Sequence, residues 1–317
     1  MIDLKTVLDP GAVTPETAAF NAELEATLAE LPRMNTFPPE VVRAARAEGK
    51  GALPLLGPRE GSEWVEIPGA PGGPGRVRIS EPDGDPKGIY LHIHGGGWTI
   101  GAADQYDVVN QSLAKDTGLR VVSVAYRLAP EHPWPAQQLD CVAAAKWVME
   151  TTDLPVFIGG ESAGGHLTSV VALAMRQAGF ADRMRGLVMN YGVFDLRGTP
   201  SARNWGERYL VLSTPVMDWF FDFVDPNGEA RQRADLSTLL ADLDGMPPAL
   251  FQVGTEDPLL DDTLFMAQRW QAAGNTTELE VFPGGVHAFD MFLDLEIAKQ
   301  AHANVRQFTN RLLPAAA

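Results

Sequence analysis

The sequence contains very little cysteine, with Cys141 the single thiol among 317 residues. One cysteine has no partner within the chain, so an intramolecular disulfide framework is excluded. Positive charge is also scarce, since 25 Lys and Arg stand against 41 Asp and Glu and give a formal net charge of −16. Nucleic-acid-binding domains normally carry a basic surface, so the charge argues against nucleic acid and against an anionic membrane as partners.

Long apolar runs are missing as well. No segment approaches the ~18 consecutive apolar residues that cross a membrane. The N-terminal residues MIDLKTVLDPG have no basic region followed by an apolar run, so they lack the pattern of a signal peptide. A cytoplasmic protein is therefore the default expectation. The motifs HExxH, CxxC and GxxxxGK(S/T) are also missing, and we expect neither a metal nor a cofactor.

Short β-rich segments alternate with helical patterns over most of the chain. This alternation predicts an α/β fold with a mostly parallel central sheet of about eight strands flanked by helices. The length permits one large domain or two ordinary ones, and we treat residues 1–317 as a single domain. Strands are predicted at residues 62–67, 76–80, 88–94, 120–126, 156–160, 186–192, 249–254 and 277–282.

Two segments depart from this alternation. The first 50 or so residues predict amphipathic helices at 14–31 and 37–49, the former with Thr14 as its N-cap. Nearly 60 residues without a clear strand follow Tyr191, and within them residues 203–226 are aromatic and helix-like. An insertion of that length usually has a function. We therefore predict that about 1–50 and 195–245 form a helical cap over the carboxyl edge of the sheet.

The segment GESAG at 160–164 follows the apolar run VFI and opens a helical pattern. Gly-x-Ser-x-Gly between a strand and a helix presses the backbone into a tight turn, which holds the serine hydroxyl out at the top of the sheet. The following helix directs its N-terminal N–H groups to the same place. An ordinary helix start would look similar, but the context favours Ser162 as a nucleophile.

The segment HGGGW at 94–98 follows another predicted strand. Three consecutive glycines are costly in backbone entropy, and they make sense where backbone N–H groups must approach a ligand closely. Acyl transfer needs such donors to stabilise the oxyanion that develops. A flexible loop is the alternative, and the serine turn downstream favours the oxyanion loop.

A serine nucleophile needs a base and an acid that orients the base. In this architecture the chain order is Ser, acid, His. His287 lies on the Gly-rich segment PGGVHAF after a predicted strand, whereas His302 lies within an amphipathic helical pattern. His166 belongs to the helix that follows Ser162 and is interpreted as a packing residue. We therefore predict His287 as the base.

The orienting acid is expected after the strand at 249–254, in the segment GTEDPLLDD. Asp257 precedes a proline that fixes the turn, and it lies where the strand passes into a helix. Glu256 is the alternative. Asp261 and Asp262 are interpreted as acids of the first helical turn, where the helix dipole favours them.

Five motifs in this order resemble the hormone-sensitive-lipase-like carboxylesterases of the α/β-hydrolase fold, the bacterial family IV esterases. The resemblance implies Ser162, Asp257 and His287 as catalytic residues. It implies an oxyanion hole formed by the N–H groups of Gly96, Gly97 and Ala163, with His94 and Glu161 in supporting positions. The motifs that carry it are HGGGW (94–98), YRLAPEHPWPA (126–136), GESAGG (160–165), DPLLDD (257–262) and GGVHAF (284–289).

The sequence departs from the family pattern at His166, where Asn is usual, and at Ala288, where Gly is commoner. Neither change removes a predicted catalytic group. The expected function is hydrolysis of short- to medium-chain acyl esters, and a homodimer is plausible from the resemblance. An amidase, peptidase or lyase could use the same triad, because function depends on the site and not on the fold. A non-catalytic small-molecule receptor on this fold is the alternative of a different class.

Overall fold

A computed structural model of the protein describes residues 4–314. Its centre is an eight-stranded sheet in the order β1-β2-β4-β3-β5-β6-β7-β8. Strands β1 and β2 are antiparallel to their neighbours, and the other strands are parallel. The strands are β1 Ser62–Glu66, β2 Arg76–Ser80, β3 Gly88–Ile93, β4 Leu119–Val124, β5 Val156–Glu161, β6 Met184–Asn190, β7 Ala249–Glu256 and β8 Thr277–Val286.

Every strand lies where the sequence predicts one, and the mostly parallel sheet is confirmed. The largest shift is at the end of β8, which continues four residues beyond the predicted segment and reaches Val286. This extension brings the sheet directly to His287. Parallel strands covered on both faces have few exposed positions, and all six residues of β3 are buried.

Helices cover both faces of the sheet. Side chains of α5, α6 and α9 pack on one face, and side chains of α4 and α10 pack on the other. The helices are α1 Leu4–Val7, α2 Pro15–Ala29, α3 Pro39–Ala47, α4 Asp107–Thr117, α5 Ala136–Thr151, α6 Ala163–Gln177, α7 Pro200–Asn204, α8 Thr214–Val224, α9 Leu260–Ala272 and α10 Glu296–Leu312.

The segment between β6 and β7 has no strand of the main sheet, as predicted, but the continuous helical stretch at 203–226 is wrong. The structure has α7 and α8 there, separated by residues 205–213. Gly206 adopts φ +77° in this connection, and Pro215 lies in the first turn of α8, where a proline can begin a helix but not continue one. The prediction was wrong because the aromatic residues of this segment mark the buried face of α8 and do not indicate one continuous helix.

The N-terminal helices lie beside this insertion. Thr14 accepts a hydrogen bond from the Thr17 amide at 3.2 Å and caps α2, as the sequence predicted. Arg33 forms an ion pair with Glu207 of the insertion, and Arg208 pairs with Glu25 at 3.0 Å. Within residues 4–314, no helix is both long enough and apolar enough to cross a membrane.

Candidate active site

Ser162 lies in the sharp turn between β5 and α6. Its backbone has φ 57° and ψ −119°, a conformation that residues other than glycine rarely adopt. The glycines on either side let the turn lie against the end of β3. A Cβ atom on Gly160 would lie 2.1 Å from the Ile93 carbonyl oxygen, and one on Gly164 would lie 1.8 Å from it. The turn therefore requires glycine at both positions, and it presents the serine at the carboxyl edge of the sheet.

A chain of hydrogen bonds joins Ser162, His287 and Asp257. His287 Nε2 lies 2.9 Å from Ser162 Oγ, and His287 Nδ1 lies 2.9 Å from Asp257 Oδ2. The other carboxylate oxygen, Oδ1, accepts a hydrogen bond from the Leu259 amide at 2.8 Å. Asp257 is 1% exposed and His287 is 4% exposed. The structure thus brings together the three residues on which the sequence analysis centred, each at the carboxyl end of a parallel strand.

The alternative residues lie elsewhere. Glu256 forms an ion pair with Arg208. His302 Nε2 lies 2.9 Å from the carbonyl oxygen of Asp290, on the α10 side of the sheet. His166 is fully buried and bonds to the insertion: its Nε2 lies 2.6 Å from the Leu236 carbonyl oxygen. Burial lowers the pKa of His166 to about 4, so the ring is neutral at pH 7.

The glycine loop faces Ser162 from the end of β3. Gly96 has φ +115° and Gly97 has φ +55°, and a Cβ atom on Gly97 would lie 2.3 Å from the Phe220 ring. Ala163 is the first residue of α6, whose leading N–H groups have no partner within the helix. Among the described residues, none accepts a hydrogen bond from the amides of Gly96, Gly97 or Ala163. These three donors are available to an oxygen placed beside Ser162.

His94 supports this loop from below. Its Nδ1–H donates to the Gly95 carbonyl oxygen at 2.8 Å, and its ring stacks on Tyr126 with centroids 4.2 Å apart. The Tyr126 hydroxyl donates to the His94 carbonyl oxygen at 2.8 Å. Burial lowers the pKa of His94 to about 3, so the imidazole is neutral and acts as a fixed hydrogen-bonding group.

Glu161 precedes Ser162 but is directed behind it. Its Oε2 lies 3.1 Å from His92 Nε2, and His92 Nδ1 lies 2.7 Å from Ser123 Oγ. The Glu161 side chain is 12% exposed. Glu161 also lines the cavity in front of Ser162, so this residue faces the space on both sides of the turn that carries Ser162.

Asp262 is a residue whose role the sequence analysis missed. It is 1% exposed and not a solvated acid of the first helical turn. Its carboxylate accepts hydrogen bonds from the amides of Phe194 and Asp195 and from the Thr199 hydroxyl, at 2.7, 3.0 and 2.6 Å. It therefore ties the start of the insertion to α9. Burial raises the pKa of Asp262 to about 7, although the three hydrogen bonds act to lower it.

Tyr191 and Asp290 form a second group that the sequence analysis missed. The Tyr191 ring packs edge-on against His287 with centroids 4.9 Å apart, and its hydroxyl donates to Asp290 Oδ1. Burial raises the pKa of the Asp290 carboxyl. The segment HAFDMF placed an acid three residues after the histidine, and this spacing was the available signal.

Backbone strain is concentrated around the serine. The described non-glycine residues with positive φ are Trp98, Ser162, Tyr191, Val211 and Ala288. Four of them line the cavity in front of Ser162, and Trp98 follows the glycine loop. Such strain persists only where the surrounding structure enforces it, and it clusters at functional sites. The φ of +59° at Ala288 also explains why glycine is the commoner residue at that position.

The cavity in front of Ser162 is narrow, about 50 Å³. An apolar cavity of about 280 Å³ adjoins it. Residues common to the linings of both cavities are Met34, Arg46, Leu53, Ile100 and Val211. The larger cavity lies between the N-terminal helices and the insertion. An apolar group of moderate length therefore fits beside the serine.

Metal-binding geometry does not occur in the part of the chain that the structure describes. Across residues 4–314, no group of three or more His, Cys, Asp or Glu side chains is arranged to hold a metal ion.

Comparison with known proteins places this chain in a family. A family model described as alpha/beta hydrolase fold matches residues 90–291. Carboxylesterase NlhH of Mycobacterium tuberculosis is 32% identical and aligns with 91% of this chain and 88% of its own length. A solved hormone-sensitive lipase from a metagenome library is 28% identical, with a TM-score of 0.83 over 94% of this chain and 98% of that one. The chain belongs to the hormone-sensitive-lipase-like esterases of the α/β-hydrolase fold.

Two further relatives of this esterase are also named as ester hydrolases. Ethyl acetate hydrolase of Pseudomonas putida is 31% identical over 67% of this chain and 70% of its own length. A hyperthermophilic esterase from the archaeon Pyrobaculum calidifontis is 28% identical, with a TM-score of 0.83 over 95% of this chain and 98% of that one. The family resemblance that the motifs indicated is thereby confirmed, and the chain is a carboxylic ester hydrolase.

Proposed function

We propose that this esterase hydrolyses short- to medium-chain acyl esters through an acyl-enzyme on Ser162. The observation that carries the proposal is the buried hydrogen-bond chain from Ser162 through His287 to Asp257, which lies opposite three unpartnered amide donors. A hydroxyl, a base and an orienting carboxylate in this order are the arrangement that acyl transfer requires.

In the first step, Ser162 Oγ attacks the ester carbonyl carbon while His287 Nε2 takes the hydroxyl proton. The carbonyl oxygen becomes negatively charged and accepts hydrogen bonds from the amides of Gly96, Gly97 and Ala163. One donor of this kind contributes about 3 kcal/mol to lowering the barrier. His287 then protonates the leaving alcohol, and the acyl group remains on Ser162.

In the second step, water attacks the acyl carbonyl carbon and His287 takes a proton from it. The bond to Ser162 Oγ breaks, and the proton on His287 returns to the serine. Asp257 holds Nδ1 protonated throughout and stabilises the imidazolium ion. The Leu259 amide fixes the carboxylate in the orientation that this requires.

The cavities support a limit on substrate size. The space directly in front of Ser162 suits the reacting carbonyl, and the adjoining apolar cavity suits an acyl or alkoxy chain. We infer that residues of about 1–50 and 195–245 together form the cap over this space. The cross-links from Arg33 to Glu207 and from Arg208 to Glu25 support this inference.

The test is hydrolysis of a p-nitrophenyl ester series from acetate to palmitate by the native protein and by Ser162→Ala. We expect turnover of the shorter chains, a steep fall as the chain outgrows the apolar cavity, and no turnover by the variant. His132→Gln is the matched control, because this histidine is exposed and lies outside the hydrogen-bond chain. Near-native turnover by Ser162→Ala in folded protein would refute the mechanism.

A further inference from the structure

A second cavity lies behind Ser162, on the α4 and α10 side of the sheet. Its volume is about 250 Å³. Val109 of α4 and Val305 of α10 form part of its walls, and the exposed side chain of Lys299 lies at its rim. The cavity is therefore reached from the protein surface by a route that does not pass the cap.

The inner end of this rear cavity is polar. Asn110, Asn190 and Asp290 line it, and each is buried. Tyr90 also belongs to the lining and is only 4% exposed, yet its hydroxyl makes no hydrogen bond to any other described residue. A hydroxyl that has no protein partner and borders a cavity is normally bonded to water. The cavity has both the room and the polar partners that ordered water requires.

Strand alternation explains why Glu161 reaches this cavity. Residues 157, 159 and 161 of β5 share one face of the sheet, and Phe157 packs with the side chains of α4 and α10. Gly159 leaves room on that face, since a Cβ atom there would lie 1.9 Å from the Tyr90 hydroxyl. Glu161 is consequently the next side chain on the rear face, one residue before the nucleophile.

Glu161 is common to the rear cavity and the cavity in front of Ser162. The front cavity is small and is otherwise lined largely by glycines and apolar side chains. Once Ser162 carries an acyl group, that group and its chain occupy the front space. Water for the second step can then enter from the rear, where the Glu161 carboxylate lies 3.1 Å from His92 Nε2 and where the same residue also borders the front cavity.

We propose that the rear cavity stores the water that hydrolyses the acyl-enzyme and that Glu161 passes it to the acyl carbonyl as a positioning residue. This inference rests on the proposed acyl-enzyme mechanism. The transferred water loses one proton to His287, its oxygen forms the new bond to the acyl carbon, and Ser162 leaves with the proton that His287 returns. The acid departs through the front, and water from the surface refills the cavity.

Val109→Phe tests the proposal because Val109 lines the rear cavity and not the cavity in front of Ser162. Val109→Ala is the matched control, since it widens the cavity at the same position. Each protein is treated with p-nitrophenyl dimethylcarbamate. Release of p-nitrophenolate measures carbamoylation of Ser162, and return of esterase activity after removal of the reagent measures hydrolysis of the carbamoyl-enzyme by water.

We expect Val109→Phe to slow hydrolysis of the carbamoyl-enzyme by about fivefold or more, equivalent to ~1 kcal/mol, and to leave carbamoylation nearly unchanged. Val109→Ala should not slow either step. Equal slowing of both steps, no slowing, or the same effect in both variants would overturn the proposal. If Val109→Phe does not fold, the same two rates are measured for Val305→Phe, which fills the cavity from α10.

The result separates this inference from the proposed function. If the native protein gains no carbamoyl group on Ser162, as measured by mass spectrometry of the digest, the acyl-enzyme mechanism itself is wrong. If the group is gained and lost at rates that neither Phe variant changes, the mechanism stands and the water takes a different route.

Discussion

Replacement of Asp257 by asparagine tests the arrangement around His287 most sharply. In the native site, Oδ1 accepts from the Leu259 amide at 2.8 Å, and Oδ2 faces His287 Nδ1 at 2.9 Å. The Leu259 amide can bond only to an acceptor, so it fixes the asparagine oxygen on its own side. The NH₂ group is then directed at Nδ1. Two donors cannot face each other, so His287 must carry its proton on Nε2, where it can no longer accept one from Ser162.

The expected loss is large because the base is disabled while the geometry stays intact. The same substitution in a serine-protease triad lowers kcat by about 10⁴-fold, equivalent to ~5 kcal/mol in the barrier. Stability should change little, because every buried polar atom of the asparagine keeps a partner once the histidine changes tautomer. A fall in kcat with an almost unchanged melting temperature is therefore the signature.

The matched control is Glu256→Gln, the neighbouring acid and the alternative from the sequence. It pairs with Arg208 and is part-exposed, so its loss should change kcat for p-nitrophenyl butyrate by less than about threefold. Both variants are assayed from pH 6 to 9 beside the native protein. If Asp257→Asn stays within tenfold of native turnover, or if Glu256→Gln falls as far, the assignment of the orienting acid is wrong.

Three further predictions follow from buried or shared side chains. Burial raises the pKa of Asp262 from 3.8 to about 7, so the folded protein holds this proton more tightly than the unfolded chain and loses stability as pH rises through that window. Urea unfolding of Asp262→Asn should therefore show its stability rising relative to the native protein between pH 4 and 7, and a constant difference would contradict the shift. Tyr126→Phe leaves the His94 carbonyl without its buried donor and should cost about 1–3 kcal/mol of stability; a calorimetric melting temperature equal to native would count against it. Leu53→Trp narrows the cavity in front of Ser162 and the adjoining apolar cavity, and it should lower kcat/KM for p-nitrophenyl octanoate by about tenfold or more relative to p-nitrophenyl acetate. An equal loss of kcat/KM on both esters would show that Leu53 does not limit chain length.

Much of the fold follows from local patterns. Most strands are short segments rich in β-branched and aromatic residues and bounded by Gly, Pro or polar residues, so their positions could be predicted without knowledge of their neighbours. The helix that begins after Thr14 was predictable for the same reason, because the cap is a local interaction. The insertion was predicted less well. Its helices are positioned by tertiary packing, α7 against α9 and α8 against Met34–Thr36, and an aromatic sequence does not reveal where such packing interrupts a helix.

The candidate site also contains some residues that local sequence patterns reveal and others that they do not. Gly96, Gly97, Gly160 and Gly164 are recognisable because a close backbone approach leaves no space for a side chain. Asp262 was misjudged because its partners lie more than 60 residues away. Nothing in its own helix distinguishes it from the neighbouring Asp261, which accepts from the Ser201 amide at 2.8 Å and is only part-buried.

A local pattern could have shown which side of the sheet the Glu161 side chain faces, although its partners lie far away in the sequence. In a strand, alternate residues face opposite sides of the sheet, so an acid two residues after Gly159 must lie on the side of Phe157. That side is the rear face, where β3 contributes Tyr90 and His92 and where His92 pairs in register with Gly159. The alternation along β5 therefore predicts that the residue before Ser162 faces the side of the sheet that α4 and α10 cover. Because the turn at Ser162 then brings its backbone to the front edge, Glu161 can face both cavities, and this is the feature on which a rear route for water depends.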